Sequence, residues 1–286
     1  MSKLALGTVQ FGLPYGVANQ SGQVSRQEAC QILSTAWEAG LDTLDTAIAY
    51  GTSESVLGAI GVSQWRVISK LPPLPEEADI QQWVQQSVHD SLKRLRKESL
   101  TGLLLHRAQD FQGDNGLVLH DSLQRLKSMG WIEKVGVSIY SPDELQGIIP
   151  QLAIDIVQAP LNVLDRRLIQ TGWLPRLKSL GIEVHTRSAF LQGLLLMPPL
   201  HRPAYFDRWS KLWNHWQTWL DAKDLTPLAA CLGFVFSQAS VDRVLVGVDS
   251  CQQLREILSI AASNFPSVPD GLSSDDLDLL NPSRWP

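Results

Sequence analysis

Eight short apolar runs, separated by stretches of helical periodicity, constrain this chain more than any other feature. They span 4–8, 43–45, 66–70, 102–105, 134–138, 155–158, 182–186 and 244–246. Runs that are apolar throughout, with helices between them, describe parallel strands buried on both faces. The helices carry their own signals. Ser25 with Glu28 three residues on reads as a capping box, and the pattern over 26–39 stops at Gly40. Further helices are predicted at 53–60, 80–96, 117–129 and 143–149, the last opened by Ser141-Pro142. An eightfold alternation within 286 residues fits an α/β fold of the (β/α)8 TIM-barrel type better than an open sheet with a second domain. No G-x-G-x-x-G follows any of the runs, so a doubly wound dinucleotide fold lacks its fingerprint. No linker or charge block divides the chain, and one domain over 1–286 is expected. A long insertion at 192–225 separates the seventh strand from its helix. In the tail, 265–286, Pro266, Pro269 and Pro282 predict loop with a short helix.

Composition narrows the function classes. With 44% hydrophobic and 19% charged residues the chain is globular and not disordered. A net charge of −5 argues against nucleic acid or an anionic membrane as the main partner. Cys30, Cys231 and Cys251 lie too far apart to form a disulfide framework or a zinc motif. The first residues lack the apolar run of a signal peptide, and the greasiest stretches, 194–200 and 228–236, are too short to span a bilayer. A cytoplasmic setting is the expectation. Nothing in the residues fixes an oligomeric state or points to a metal.

In a barrel of this kind chemistry gathers where strands end. The polar residues there are Thr8 and Gln10, Asp45 and Tyr50, Lys70, His106 and Arg107, Ser138, Gln158 and Asn162, Arg187 and Ser188, and Asp249 beside Gly247. An acid, a phenol, an amine and an imidazole thus fall on three consecutive strand ends, which converge on one site. The set suits a carbonyl. A phenol ordinarily has a pKa near about 10, and a nearby ammonium stabilises the phenolate. A carboxylate keeps that ammonium charged and placed. The phenol can then give its proton to an oxygen gaining negative charge, while an imidazole orients that oxygen. The set holds no electron source, so a cofactor must supply hydride.

The stretch from Asp45 to Gly51, Asp-Thr-Ala-Ile-Ala-Tyr-Gly, resembles the aldo-keto reductase active-site motif. Ile68-Ser69-Lys70, Leu104-Leu105-His106-Arg107, Gly136-Val137-Ser138, the segment from Val157 to Asn162 and the segment from Arg187 to Leu194 resemble further segments of that family. The likeness runs from about residue 4 to 260. It implies a carbonyl reductase using NADP(H) or NAD(H), with a small carbonyl compound as substrate. It implies Tyr50 as proton donor, Lys70 as the cation that eases proton release, Asp45 as the holder of Lys70, and His106 as the orienter of the carbonyl. It assigns Thr8, Ser138, Gln158 and Ser188 to the nicotinamide half of the cofactor, and Phe190, Gln192 and Gly193 to the loop over the pyrophosphate. Asp45 and Gly247 join the cofactor wall. Arg187 stands where an aromatic ring often stacks on the nicotinamide, and a flat guanidinium can stack as well.

Three departures stand out. Ile139 replaces the Asn that usually follows the fifth-strand Ser, many members carry a β-hairpin ahead of the first strand, and the usual basic clamp for the adenosine 2′-phosphate is poor. Between Gly247 and Ile257 the single cation is Arg255, and Gln253 and Glu256 suit adenine or ribose. NADH is therefore expected to compete with NADPH, unless Arg202 or Lys223 reaches the phosphate. Two rival functions stay open. One is a cofactor-binding redox sensor or regulatory subunit with slow turnover, and the other is a Schiff-base lyase using Lys70. Trp209, Trp213, Trp216 and Trp219 recur at helical spacing. They fit a face packed on the barrel, or a lid holding a sugar-like substrate. Asp165, Arg166 and Arg167 read as a surface ion cluster.

Overall fold

The computed structural model describes residues 3–260 and 267–286. Eight parallel strands close into a barrel in sequence order: β1 (Leu4–Gly7), β2 (Thr43–Asp45), β3 (Arg66–Leu71), β4 (Gly102–Leu105), β5 (Val135–Ser138), β6 (Ile156–Pro160), β7 (Glu183–Arg187) and β8 (Arg243–Gly247). β1 pairs with both β2 and β8, which closes the ring. Every expected strand is present, with ends shifted by at most two residues. The larger differences are helical. The helix expected at 117–129 is Gly113–Ser128, and the connection after β6 splits into Arg167–Gln170 and Trp173–Ser179. Gly172 makes that break with a φ of 75°, a conformation that only glycine adopts freely.

Half of the expected capping box forms. The Ser25 hydroxyl accepts from the Glu28 N–H at 3.2 Å. The Glu28 carboxylate, however, accepts from the Cys251 N–H at 2.6 Å. It satisfies an orphan donor at the start of the neighbouring helix Cys251–Ile260, so the acid ties two barrel helices together.

Strand alternation sets the interior in layers. Ile68, Leu104 and Ile156 form a small buried cluster inside the ring. Two residues further along each chain stand Lys70, His106 and Gln158, which the period of two brings to the same side. An apolar plug therefore lies directly beneath the polar residues. Gly136 makes room for it, since a Cβ there would come within 2.3 Å of Leu104.

The insertion holds three short 3-10 turns and the helix Ser210–Lys223, followed by the helix Pro227–Phe236. Trp213, Trp216 and Trp219 are buried in the main core, and Trp216 stacks on Trp219 with centroids 5.6 Å apart. Asp165 and Arg166 are also buried, contrary to the surface reading. Arg167 grips Asp165, while Arg166 donates to the Pro269 carbonyl at 2.7 Å and anchors the tail. Of that tail, Phe265 and Pro266 lie outside the described residues; the remainder contains one short helix, Leu277–Leu280. Among the described residues no helix is long and apolar enough to cross a membrane.

Candidate active site

Strand register brings the four expected residues together. Lys70 leaves β3 one residue before its end, and Asp45 ends β2 opposite Ile68. The Lys70 ammonium donates to Asp45 Oδ1 at 2.5 Å, to the Thr46 carbonyl at 2.9 Å and to the Tyr50 hydroxyl at 3.4 Å. The other carboxylate oxygen of Asp45 accepts from Gln158 Nε2 at 2.7 Å. Asp45 is thereby held from two sides in a buried setting. His106 follows β4 and meets Tyr50 edge to face, with ring centroids 5.7 Å apart.

Electrostatics sort these groups. Burial by itself would pull the Lys70 ammonium down, but the Asp45 carboxylate and the Tyr50 oxygen outweigh it, and the net shift is upward. Burial pulls His106 from 6.5 down to about 4, with Lys70 and Arg187 adding to the fall and Asp45 opposing it. His106 is therefore neutral at pH 7 and carries one ring N–H to donate.

The turn bearing Tyr50 is clamped from below by a residue that the strand-end reasoning did not single out. Glu54 is buried in the helix Ser53–Ile60. Its carboxylate accepts from Ser69 at 2.7 Å, Ser91 at 2.7 Å and Arg94 at 2.8 Å. Ser69 adjoins Lys70, so this cluster fixes the helix that follows Tyr50 against β3. Gly12 is required beside it, because a Cβ there would lie 1.8 Å from the Tyr50 carbonyl oxygen.

A cavity of about 550 Å³ runs from Asp45, Tyr50 and Gln158 at one end to Gln253 and Glu256 at the other. Of the residues assigned to a cofactor by resemblance, Thr8, Asp45, Gln158, Arg187, Ser188, Phe190, Gln192, Gly193, Gly247, Gln253 and Glu256 all line it. Ser138 does not; it is buried at the end of β5, paired in register with Gln158. Thr8 turns its hydroxyl to the Asp45 carbonyl at 2.9 Å. Arg187 lies on the ring of Tyr140, 4.5 Å from its centroid, and donates to the Ile139 carbonyl at 3.0 Å and to Ser188 Oγ at 3.2 Å. One face of the guanidinium is thus taken by protein.

The loop after β7 arches over this cavity in a costly conformation. Ser188, Leu191 and Gln192 have positive φ values of 61°, 49° and 53°. Such non-glycine residues each cost on the order of 1–3 kcal/mol, and they gather where function demands a shape. Gln192 reaches across to the Tyr15 hydroxyl at 3.1 Å, and Asn19 reaches Asp249 at 3.1 Å. The loop after β1 therefore bridges to those after β7 and β8.

The wall fits a dinucleotide. Gln10 Oε1 is buried there without a hydrogen-bond partner, and a Cβ on Gly247 would meet that amide at 2.4 Å. Residues that sequence reasoning passed over include Tyr15, Asn19, Met197 and His201, which line the cavity, and Tyr140, which supports Arg187. Tyr140 lies two residues past Ser138, and the strand-end rule could have found it. Tyr15 and His201 sit in loops where no period points inward. The buried tryptophans do not line the cavity, and neither Arg202 nor Lys223 does. Arg202 is spent on the Trp213 ring, 4.5 Å from its centroid. Trp213, Trp216 and Trp219 fit the packed-face reading, while the insertion reaches the cavity through Leu196, Met197, Pro198 and His201.

The family model described as the Aldo/keto reductase family matches residues 3–269. An uncharacterized oxidoreductase, YqkF of Bacillus subtilis (strain 168), is 26% identical over 281 residues, covering 91% of each chain. The D-threo-aldose 1-dehydrogenase of a Pseudomonas species is 25% identical over 313 residues, covering 92% of this chain and 93% of its own. Among solved structures, the holo form of the aldo-keto reductase AKR11C1 from Bacillus halodurans superposes with a TM-score of 0.75 at 20% identity, covering 93% of this chain and 88% of its own. That last likeness concerns the fold. Because the family match spans nearly the whole chain, the chain belongs to the aldo/keto reductase family and is an NAD(P)H-dependent enzyme.

Proposed function

We propose that the chain reduces an aldehyde or ketone to the alcohol, or runs the reverse oxidation, with Tyr50 as proton donor. The observation that carries this reading is the placement of Lys70 Nζ between Asp45 Oδ1 and the Tyr50 hydroxyl. The hydride for the carbonyl carbon would come from the nicotinamide cofactor when it is bound. The chain does the rest. Tyr50 passes its proton to the carbonyl oxygen as that oxygen gains charge, and Lys70 stabilises the phenolate left behind. Asp45 and Gln158 keep Lys70 charged and placed, and neutral His106 donates to the same oxygen. Thr8, Gln158, Ser188, Gly193 and Gly247 hold the cofactor.

The cavity also supports a coenzyme preference. Its far end presents Asp249 and Glu256, and its described lining includes no lysine and one arginine, Arg187, at the opposite end. A carboxylate about 4 Å from a phosphate repels it by about 1 kcal/mol in water, and by more at lower dielectric. NADH is therefore the better ligand, or at least an equal one.

Lys70 is a poor Schiff-base nucleophile here, since its buried contact with Asp45 keeps it protonated. The deciding experiment follows NADH and NADPH absorbance with a panel of small aldehydes, ketones and sugars. Steady consumption is expected. Tight coenzyme binding without turnover on any carbonyl would favour the sensor instead.

A further inference from the structure

We infer that Arg187 selects a carbonyl substrate that also carries a carboxylate; the inference rests on the reductase reading above. Charge accounting at the Tyr50 end is the basis. Lys70 is matched by Asp45, and His106 is neutral at pH 7. Arg187 is left over. Among the described residues no carboxylate lies within ion-pair distance of it, whereas Arg94, Arg107 and Arg167 each have one.

The leftover cation is built in. Tyr140 supports one face of the guanidinium, and two neutral acceptors, the Ile139 carbonyl and Ser188 Oγ, fix its plane. Ser188 is itself held in the left-handed region, and its carbonyl accepts from Asn162 at 3.0 Å. A guanidinium has five N–H groups, and these bonds use two. Three remain on a half-buried side chain that lines the cavity wall shared with Tyr50.

The field of Arg187 reaches the reacting groups. It helps lower His106, and it lowers Tyr15 against the stronger upward push of burial and of Tyr50. Tyr15 keeps 41% of its surface exposed, and its hydroxyl accepts from Gln192 at 3.1 Å. A planar donor fork of this kind matches two carboxylate oxygens better than it matches a sugar hydroxyl. The sugar-like alternative drew on the tryptophans, of which Trp213, Trp216 and Trp219 are packed in the core and Trp209 lies against it.

The test compares acids with their own esters. Coenzyme-loaded protein is assayed with succinic semialdehyde and its methyl ester, and with para-carboxybenzaldehyde and its methyl ester. Each acid should show a KM about tenfold to a hundredfold below that of its ester, the range of one charge-assisted hydrogen-bonded contact. Arg187→Gln should bring the acid-to-ester KM ratio to within about threefold of one, whatever it does to the ester itself, and Arg187→Lys should restore part of the difference. Coenzyme dissociation constants, read by tryptophan fluorescence, are measured on the same variants. Esters that match or beat their acids in the native enzyme overturn the inference without touching the reductase reading. So does a variant that loses coenzyme affinity while keeping the native acid-to-ester ratio, for Arg187 would then serve the coenzyme. If no aldehyde turns over, the reductase reading falls instead. Arg187 is then judged by fluorescence titration with benzoate against methyl benzoate, where equal binding overturns it.

Discussion

The two ends of the cavity are built differently. At the Tyr50 end, Asp45 and Lys70 sit on adjacent strands, are nearly fully buried and are fixed by hydrogen bonds of 2.5 to 2.9 Å. At the other end, Asp249, Gln253 and Glu256 sit in a loop and on a helix, and Asn19 of a distant loop holds Asp249 across the gap. Strand register places the reacting groups with little freedom, whereas loops and helix starts decide which molecule is admitted. Changes at the first end should therefore act on turnover and stability together, and changes at the second on coenzyme choice alone.

The harshest break of that contrast is Lys70→Met. Turnover should fall to background. The variant should also lose about 3–5 kcal/mol of stability, because Asp45 becomes an unpaired buried carboxylate. Denaturant unfolding and an aldehyde assay read both effects. An active variant of native stability would remove the catalytic and the ion-pair role at once.

Tyr50→Phe is milder on the fold and sharper on the chemistry. It keeps the ring against His106 and removes the hydroxyl that Lys70 contacts. Turnover should drop by about 10² to 10⁴ with coenzyme binding preserved. A rate within a few fold of native would return the proton-donor role to another group.

Trp216→Ala tests the insertion, which touches neither end through its tryptophans. Emptying a fully buried indole site typically costs about 3–5 kcal/mol. Unfolding should come earlier while KM values stay near native. A raised substrate KM with an unchanged melting point would restore the lid.

The smallest expected effect lies at the far end. Asp249→Asn keeps an acceptor for Asn19 and discards the charge. NADPH should gain about tenfold relative to NADH, corresponding to roughly 1.4 kcal/mol. Dissociation constants for both coenzymes at one ionic strength give the ratio. A native preference for NADPH above about a hundredfold would mean that a phosphate clamp exists elsewhere.

Much of the catalytic end was legible beforehand because each of its residues stands at a fixed offset from an apolar run. Asp45, Tyr50, Lys70 and His106 could be placed together by counting along three consecutive strands. Ser138 obeyed the same count, yet it stays out of the cavity lining, level with Gln158 on the neighbouring strand. Glu54 escaped notice because a lone acid inside a helix resembles a solvated one. Its burial follows from Ser69, Ser91 and Arg94 arriving from two other elements. The burial of Arg166 was missed for the same reason, since its partner, the Pro269 carbonyl, lies in the tail more than a hundred residues away.

The sequence by itself determined the barrel, since apolar period and helix stops are local properties that a chain this length can satisfy in few ways. It also determined which side chains could share a strand-end site. Tertiary structure alone decided what each side chain faces. The tryptophans of the insertion present one helical face, and only packing shows that this face meets the core. Arg187 carries its charge in any fold. Only the closed barrel sets it on Tyr140, between two neutral acceptors and away from any carboxylate among the described residues. Partners far apart in sequence meet only after the chain has closed, and no local pattern records which of them will be left unpaired.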